Sequence, residues 1–188
     1  MTGTIVFWVI IGILIFICLY LITAYNSLIG LRNLVKNSWS QIDVQLKRRH
    51  DLIPNLVETA KGYMGHERET FEAVTKARSE ATGARGVPQI AQAESRLSDA
   101  ISRFMVIVEN YPELKANQNF LAVQEELAST ENRIAFARQA YNDAVLFLNN
   151  KIEMFPSSII AGMFAFRKEV FFEIEDTTER AAPKVNFH

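Results

Sequence analysis

The sequence predicts an all-α protein, in which an N-terminal transmembrane helix continues without a hinge into a long antiparallel helical bundle of about four coiled-coil-like helices. Three observations predict this fold. No charged residue or His occurs between Met1 and Leu31. A later segment repeats apolar residues every seven positions, which is typical of packed helices. Gly and Pro, at 8 and 5 of 188 residues, are too sparse for the many turns of a strand-rich chain.

The uncharged run predicts a membrane-spanning helix over residues 4–24, preceded by a short tail of residues 1–3. A helix needs about 20 apolar residues to cross a hydrocarbon core of roughly 30 Å. A cleaved signal peptide fits less well, because nothing basic precedes the run and no small-x-small cleavage site closes it. The residues expected within the bilayer or at its interfaces are Ile5, Trp8, Ile11, Leu14, Cys18, Tyr20 and Ile22.

The flanking charges predict the orientation of this span. No Lys or Arg precedes it, whereas Arg32, Lys36 and the run Lys47-Arg48-Arg49 follow it. The positive-inside rule therefore puts the N-terminus outside and the following residues in the cytoplasm. Cys18 is the only cysteine, so the sequence offers no internal disulfide and no cysteine cluster for a metal.

A helical bundle domain is expected over residues 25–174. Spacings of three and four residues continue the first helix beyond the membrane, through Leu28, Leu31, Val35, Trp39, Ile42 and Leu46. Pro54 is expected to end or kink this helix, because its ring removes a backbone donor. Asp51 is then placed to cap a second helix that reaches about Ala81.

Two further helices complete the predicted bundle. Residues 83–88 form a turn, a third helix follows over residues 89–110, and Pro112 stops it. Asn117 or Asn119 is expected to cap the fourth helix. That helix carries an a/d heptad pattern at Leu127, Ile134, Tyr141 and Leu148, with a second row at Val123, Thr130, Ala137 and Ala144.

An apolar segment follows the fourth helix. Short connections make neighbouring helices antiparallel, so this segment should return towards the bilayer. It is too apolar for a free tail and too short to span. It caps the base of the bundle, lies at the membrane interface or forms a self-association surface. Its marker residues are Phe155, Pro156, Ile159, Phe164, Phe166, Phe171 and Phe172, and a polar, mobile tail is expected over residues 175–188.

Long blocks of the chain resemble the LemA family, at residues 25–57, 111–116 and 127–142 and at Phe155-Pro156. The one noted departure is Ala165, where many members are expected to have glycine. The resemblance implies a single-span protein of the bacterial inner membrane with a cytoplasmic helical domain. It also implies adaptor-like roles, sometimes linked with HtpX-type membrane proteases, and a relative that takes part in magnetosome membrane formation.

The motif positions are expected to be structural or contact residues. They are Asn26, Trp39, Asp43, Arg48, Arg49, His50, Pro54, Asn55, Glu131, Asn132, Arg133, Arg138, Tyr141 and Asn142. Glu131 and Arg138 flank the heptad seam, where charges pair with neighbouring helices. Asp43, Arg48 and Glu58 are the candidate partners. These charges form either a structural ion-pair network or a functional contact site. Likewise, Lys47-Arg48-Arg49 is either a solvated face or a docking patch.

The sequence offers no pattern typical of catalysis. The stretch from His66 to Thr70 begins like the zinc motif H-E-x-x-H, but Thr70 cannot replace the second imidazole. The chain has no glycine-rich phosphate-binding motif and no nucleophile elbow. We therefore expect no enzyme activity, catalytic residue, metal, cofactor or small-molecule substrate. A net charge of −1 without a basic block argues against nucleic-acid binding.

Two hypotheses for the function follow. The leading one is a membrane-anchored, non-enzymatic scaffold or adaptor that acts through protein contacts. The alternative is a self-associating, membrane-shaping protein that presses residues 155–172 on lipid. The expected partners are the lipid bilayer, other membrane proteins and a second copy of the chain.

Overall fold

The computed structural model describes residues 2–173, which form six helices and contain no strand. The helices are α1 (Thr2–Lys61), α2 (Arg68–Gly83), α3 (Val87–Val108), α4 (Pro112–Lys115), α5 (Gln118–Glu153) and α6 (Ser157–Met163). The all-α prediction is confirmed, and α1, α2, α3 and α5 are its long helices. The short helices α4 and α6 were not predicted, and the expected tail over residues 175–188 lies outside the described part.

The N-terminal part of α1 contains the predicted membrane span. Among the described residues, α1 is the one helix that is long and apolar enough to cross a membrane, and none of its apolar window is buried by the rest of the chain. Trp8 and Leu14 are exposed, and Ile11 and Tyr20 are half-buried. A row of exposed Ile, Leu and Phe side chains is unfavourable in water, so a bilayer is the environment that suits this helix.

The expectation that Pro54 ends or kinks the first helix is wrong as to its end. Helix α1 continues through Pro54 to Lys61. Proline lacks the N–H that would bond to the carbonyl four residues earlier, which belongs to His50. In the structure, Arg78 Nε of α2 donates a hydrogen bond to that His50 carbonyl at 2.6 Å. A side chain from another helix thus replaces the missing backbone donor.

The break between α1 and α2 lies further along the chain than predicted. The expected second helix from Asp51 to Ala81 does not exist as one element, because residues 62–67 are turns and loop. Gly62 and Gly65 occur there, and glycine is a poor helix former. Residues before this loop belong to α1, and residues after it form α2.

Contacts divide the described chain into two compact units. Unit 1 contains residues 2–42 and 136–170, and unit 2 contains residues 43–135 and 171–173. In unit 1, the apolar stripe of α1 and the facing side of α5 are buried, at Ala24, Leu28, Val35, Tyr141, Ala144, Val145 and Leu148. Burying one such large side chain contributes about 1.5–3 kcal/mol.

Unit 2 has its own hydrophobic core. Its core residues come from α1 to α5 and from the loop after α1, and include Ile53, Leu56, Met64, Val74, Leu97, Phe104, Leu114, Phe120 and Leu127. All four predicted a/d residues of the last long helix, Leu127, Ile134, Tyr141 and Leu148, are buried. The heptad pattern therefore predicted the packed face of α5 correctly along its length.

The ends of three helices have local causes in the sequence. Asn117 Oδ1 accepts a hydrogen bond from the Phe120 N–H at 3.0 Å, which makes Asn117 the cap of α5. Helix α3 follows Gly86, whose φ of 82° is a backbone conformation that favours glycine. At the end of α6, the Phe166 N–H bonds to the Ala161 carbonyl and Ala165 has a φ of 53°, as in a Schellman motif.

Candidate functional site

The most concentrated polar site of the described chain is an ion cluster in unit 2. Arg49 Nη1 of α1 lies 3.2 Å from Glu94 Oε2 of α3, and both side chains are only 4% exposed. Arg49 Nη2 donates to Ser98 Oγ at 2.7 Å and lies 3.3 Å from Glu131 Oε2 of α5. We call Arg49, His50, Glu94, Ser98 and Glu131 the Arg49 cluster. It joins α1, α3 and α5.

His50 completes this cluster from the position next to Arg49. Its Nε2 lies 2.6 Å from Glu94 Oε1. A carboxylate only accepts hydrogen bonds, so Nε2 carries the hydrogen in this contact. Both oxygens of Glu94 are thus engaged, one by Arg49 and one by His50. A carboxylate held in this way can fix the register of helices, but it presents no accessible acid or base to a solute.

The structure changes the predicted pairing of these charges. Glu131 pairs with Arg49, whereas the expected partners were Asp43, Arg48 and Glu58. Arg48 instead forms an ion pair with Glu126 of α5. Arg49 is buried, so Lys47-Arg48-Arg49 is not one solvated face or one docking patch. Successive helical residues are rotated by about 100°, which explains why neighbouring arginines have different partners.

Sequence reasoning missed two residues of this region, Glu94 and Arg78. A signal for Glu94 existed, because it lies four residues after Ile90 and three before Leu97. An acid on the apolar stripe of a helix is expected to need a buried partner. No local signal marked Arg78, whose acceptor is a carbonyl on another helix.

In unit 1, Tyr141 and Asn149 of α5 hold the chain that follows α6. Tyr141 Oη donates to the Val170 carbonyl at 2.9 Å, and Asn149 exchanges two hydrogen bonds of 2.9 Å with the backbone of Glu169. Burial, together with the negative charge of Glu169, raises the pKa of Tyr141 to about 12. The Tyr141 ring also packs edge-on against Trp39, with centroids 5.4 Å apart.

The apolar segment after α5 lies against the part of α1 that follows the predicted span. The ring of Tyr25 is 4.6 Å from that of Phe164 and 6.1 Å from that of Phe166, centroid to centroid. The guanidinium of Arg32 stands 5.3 Å above the Phe166 ring, a cation–π contact. The segment therefore returns to the end of the apolar run, as the antiparallel reasoning predicted.

This segment has a buried side and an exposed side. Ile160 and Ala161 of α6 are buried, and Phe172 is buried in unit 2. Phe155 is 81% exposed, and Ile159 and Phe164 are each 56% exposed. We call the exposed side chains of Met154, Phe155, Ile159, Met163 and Phe164 the apolar shelf. Of the three alternatives, the buried side fits a cap, and the shelf leaves lipid contact and self-association open.

The remaining motif positions lie outside these clusters. The exposed ones are Asn26, Asp43, Pro54, Asn55, Asn132 and Arg133, and the half-buried ones are Arg138 and Asn142. Pro156 follows Phe155 at the start of α6 and is exposed, and Phe171 is half-buried. The structure thus brings Arg49, His50 and Glu131 together, and places Trp39 with Tyr141, but does not gather the other motif residues into one site.

A polar loop cluster lies in unit 2 beside the failed zinc motif. Tyr111 Oη donates to Glu67 Oε1 at 3.0 Å, and this hydrogen bond is the main cause that raises the pKa of Tyr111. Asn117 Nδ2 donates to Tyr63 Oη at 2.9 Å. Within residues 2–173, no group of three or more His, Cys, Asp or Glu side chains is arranged to hold a metal ion.

These observations define a class of membrane-associated helical protein, with one candidate membrane helix that continues into packed helices. The chain belongs to the LemA family, whose model matches residues 38–187.

Similar curated proteins come from three bacteria. Magnetosome protein MamQ 2 of Paramagnetospirillum magneticum is 23% identical over 179 residues, which cover 81% of this chain and 66% of the relative. Protein LemA of Metamycoplasma hominis is 27% identical over 138 residues, covering 72% and 63%. Magnetosome protein MamQ of Magnetospirillum gryphiswaldense is 22% identical over 178 residues, covering 81% and 65%. The chain thus spans just under two thirds of the length of these relatives.

Proposed function

We propose that this protein is a non-enzymatic scaffold or adaptor of the bacterial inner membrane that acts through protein–protein contacts. The observation that carries the proposal is the continuity of α1. This single helix contains the apolar run at one end and Arg49 and His50 of the Arg49 cluster near the other. Such a helix connects a membrane anchor directly to a packed helical unit.

The chemistry of the Arg49 cluster supports a non-enzymatic role. Catalytic acids and bases must reach a reacting group, within hydrogen-bond distance or through one water. Glu94 is instead buried, and its two oxygens are engaged by Arg49 and His50. The geometry suits the transmission of position between α1, α3 and α5.

The partners that we propose are other membrane proteins. Family resemblance suggests an HtpX-type membrane protease as one candidate, and the names of the MamQ relatives place those proteins in the magnetosome. Nucleic acids and small-molecule substrates are not part of the proposal. The excess of Lys and Arg after the span supports a cytoplasmic helical domain with the N-terminus outside. Reporter fusions after His188 that are active only outside the cytoplasm would contradict this orientation.

Affinity isolation after crosslinking in native membranes tests the adaptor proposal. The full chain is compared with an anchor-swap variant, in which an unrelated transmembrane helix replaces residues 4–24. An adaptor that binds through its helical domain retains the same partners in both forms. Partners that follow the native span alone, or turnover of any substrate by the pure protein, would contradict the proposal.

A second candidate function is membrane shaping by self-association on lipid. The apolar shelf favours it, because five large exposed apolar side chains belong to a segment that packs on Tyr25, just after the span. Each side chain that moved from water into an apolar phase would contribute up to about 1.5–3 kcal/mol. The shelf is continuous with the part of α1 that leaves the bilayer, so lipid is its nearest apolar surface.

Liposome binding separates the two candidates. A fragment over residues 26–188 is mixed with liposomes, as it is and with Phe155, Ile159 and Phe164 each changed to Ser. Binding and tubulation that depend on these side chains support membrane shaping. An equal lack of lipid association in both forms supports the adaptor. Phe172→Ser is unsuitable for this test, because Phe172 is buried and its loss would damage packing.

A further inference from the structure

Unit 2 contains an open cleft of about 560 Å³ beside α2 and the last residue of α1. We call it the α2 cleft. Its lining residues are Lys61, Arg68, Phe71, Glu72, Thr75, Lys76 and Ser79. The volume lies within the range of about 300–1,000 Å³ that is usual for ligand-binding clefts. The cleft shares no residue with the Arg49 cluster.

The charges of the α2 cleft are mostly positive and largely unengaged. Three of its side chains are basic and one is acidic. Within residues 2–173, neither Arg68 nor Lys76 forms an ion pair with a carboxylate inside 4.0 Å. Lys61 has a partner only at the limit of this distance, with Glu58 Oε2 at 3.9 Å. A net positive cleft attracts an acidic ligand.

The rest of the lining adds apolar and hydrogen-bonding groups. Phe71 lines the cleft and is 8% exposed, because it also packs on Phe104 in the core of unit 2, with ring centroids 6.1 Å apart. Thr75 and Ser79 add two exposed hydroxyls on the face of α2 that carries the charges. Cations around a fixed aromatic ring fit a ligand that has both acidic and apolar groups.

We propose that the α2 cleft binds an acidic segment of a partner protein, with an apolar side chain of that segment seated on Phe71. This inference rests on the proposed adaptor function and assigns it a docking site. A protein segment fits better than a nucleic acid, which needs an extended basic surface along its phosphates. The cleft is short, and the whole chain carries a net charge of −1.

Photo-crosslinking in native membranes tests this site in the full chain. The photoreactive residue p-benzoylphenylalanine replaces Thr75 in the cleft or, as a matched control, Ser102 on the exposed face of α3. The expected result is an adduct from Thr75 to one partner segment rich in Asp and Glu, with no such adduct from Ser102. Mass spectrometry of the adduct identifies the segment.

Charge variants make the test specific. Arg68→Gln together with Lys76→Gln keeps good helix formers on α2 and removes two positive charges. It should lower the yield of the Thr75 adduct by roughly tenfold, a scale typical of lost interfacial charge pairs. Lys76→Arg alone should leave the yield unchanged.

Several results would overturn the inference. They are no adduct at Thr75, an adduct to a neutral or basic segment, to lipid or to nucleic acid, and a yield that the double Gln variant does not change. If Thr75 gives no acidic adduct while affinity isolation still returns partners, the cleft assignment fails and the adaptor function stands. If no partner is returned by either method, the adaptor function itself fails.

Discussion

The passage of α1 through Pro54 depends, in our account, on the side chain of Arg78. Pro54 has no N–H, and the His50 carbonyl accepts from Arg78 Nε at 2.6 Å instead. We predict that Arg78→Met destabilises unit 2, because it keeps most of the apolar stem but leaves this carbonyl without its donor. The same substitution in a Pro54→Ala background should cost much less, because the N–H of the introduced alanine restores the backbone bond.

The magnitudes follow from the kind of hydrogen bond. A bond from a charged donor is worth about 1.5–3 kcal/mol, so Arg78→Met should lower the free energy of unfolding by roughly 2 kcal/mol. For about 150 residues this corresponds to a fall in Tm of about 4–8 °C. In the Pro54→Ala background the loss should be under about 1 kcal/mol. The coupling between the two sites is then at least about 1 kcal/mol.

The assay is thermal and urea unfolding of the four proteins of this double-mutant cycle, in one detergent, with circular dichroism as the signal. Arg103→Met on the exposed face of α3 is the matched control and should change stability by less than about 0.5 kcal/mol. Equal losses for Arg78→Met with and without Pro54 would refute the reasoning, since the donor would then not be serving the proline.

Three further predictions concern the two units. Glu94→Ala leaves Arg49 as a buried charge with one exposed partner and should cost about 3–5 kcal/mol, whereas Glu125→Ala on the surface should cost under about 0.5 kcal/mol; equal costs in urea unfolding would contradict the cluster. The folded-state pKa of Tyr141 is raised from 10.0 to about 12, so its contribution to stability is complete below pH 10 and is lost as pH rises through 12. Tyr141→Phe should remove this decline in the urea midpoint, and an unchanged pH slope would contradict it. Ala165→Gly should raise stability by about 0.5–1 kcal/mol, because Ala165 has a φ of 53°, and a lower Tm would contradict this explanation.

Repeating patterns in the sequence were sufficient to predict much of the fold. The heptad positions Leu127, Ile134, Tyr141 and Leu148 are buried, because a helix with a period near 3.5 residues must cover one face. The apolar run is in a helix for an equally local reason, since its length and composition suit the bilayer. Asn117 caps α5 through its own side chain.

The errors arose where a distant residue decided the local structure. Pro54 is a strong local signal for a helix end, but Arg78 lies 28 residues from the carbonyl that it serves. The choice between Arg48 and Arg49 as the partner of Glu131 depends on the rotation of α1 about its axis, which the sequence pattern gives only approximately. Glu94 was missed because it was read as part of an apolar stripe.

The position Ala165 shows how a resemblance and a structure can explain each other. Many LemA members are expected to have glycine there, and the structure shows a left-handed backbone at this residue. Alanine is less favourable than glycine in that conformation. The family preference therefore follows from the end of α6, where Ala165 continues the Schellman motif.

The central claim is that the membrane span and the first helix of the packed units are one unbroken helix, and amide hydrogen exchange of the full chain in lipid nanodiscs tests it most directly. The account predicts continuous protection from Ile22 through Gly30 to Ile42, with no fast-exchanging gap where the helix leaves the lipid. A stretch of several unprotected amides around Gly30 would contradict it, because the anchor would then be joined to the helical units by a hinge.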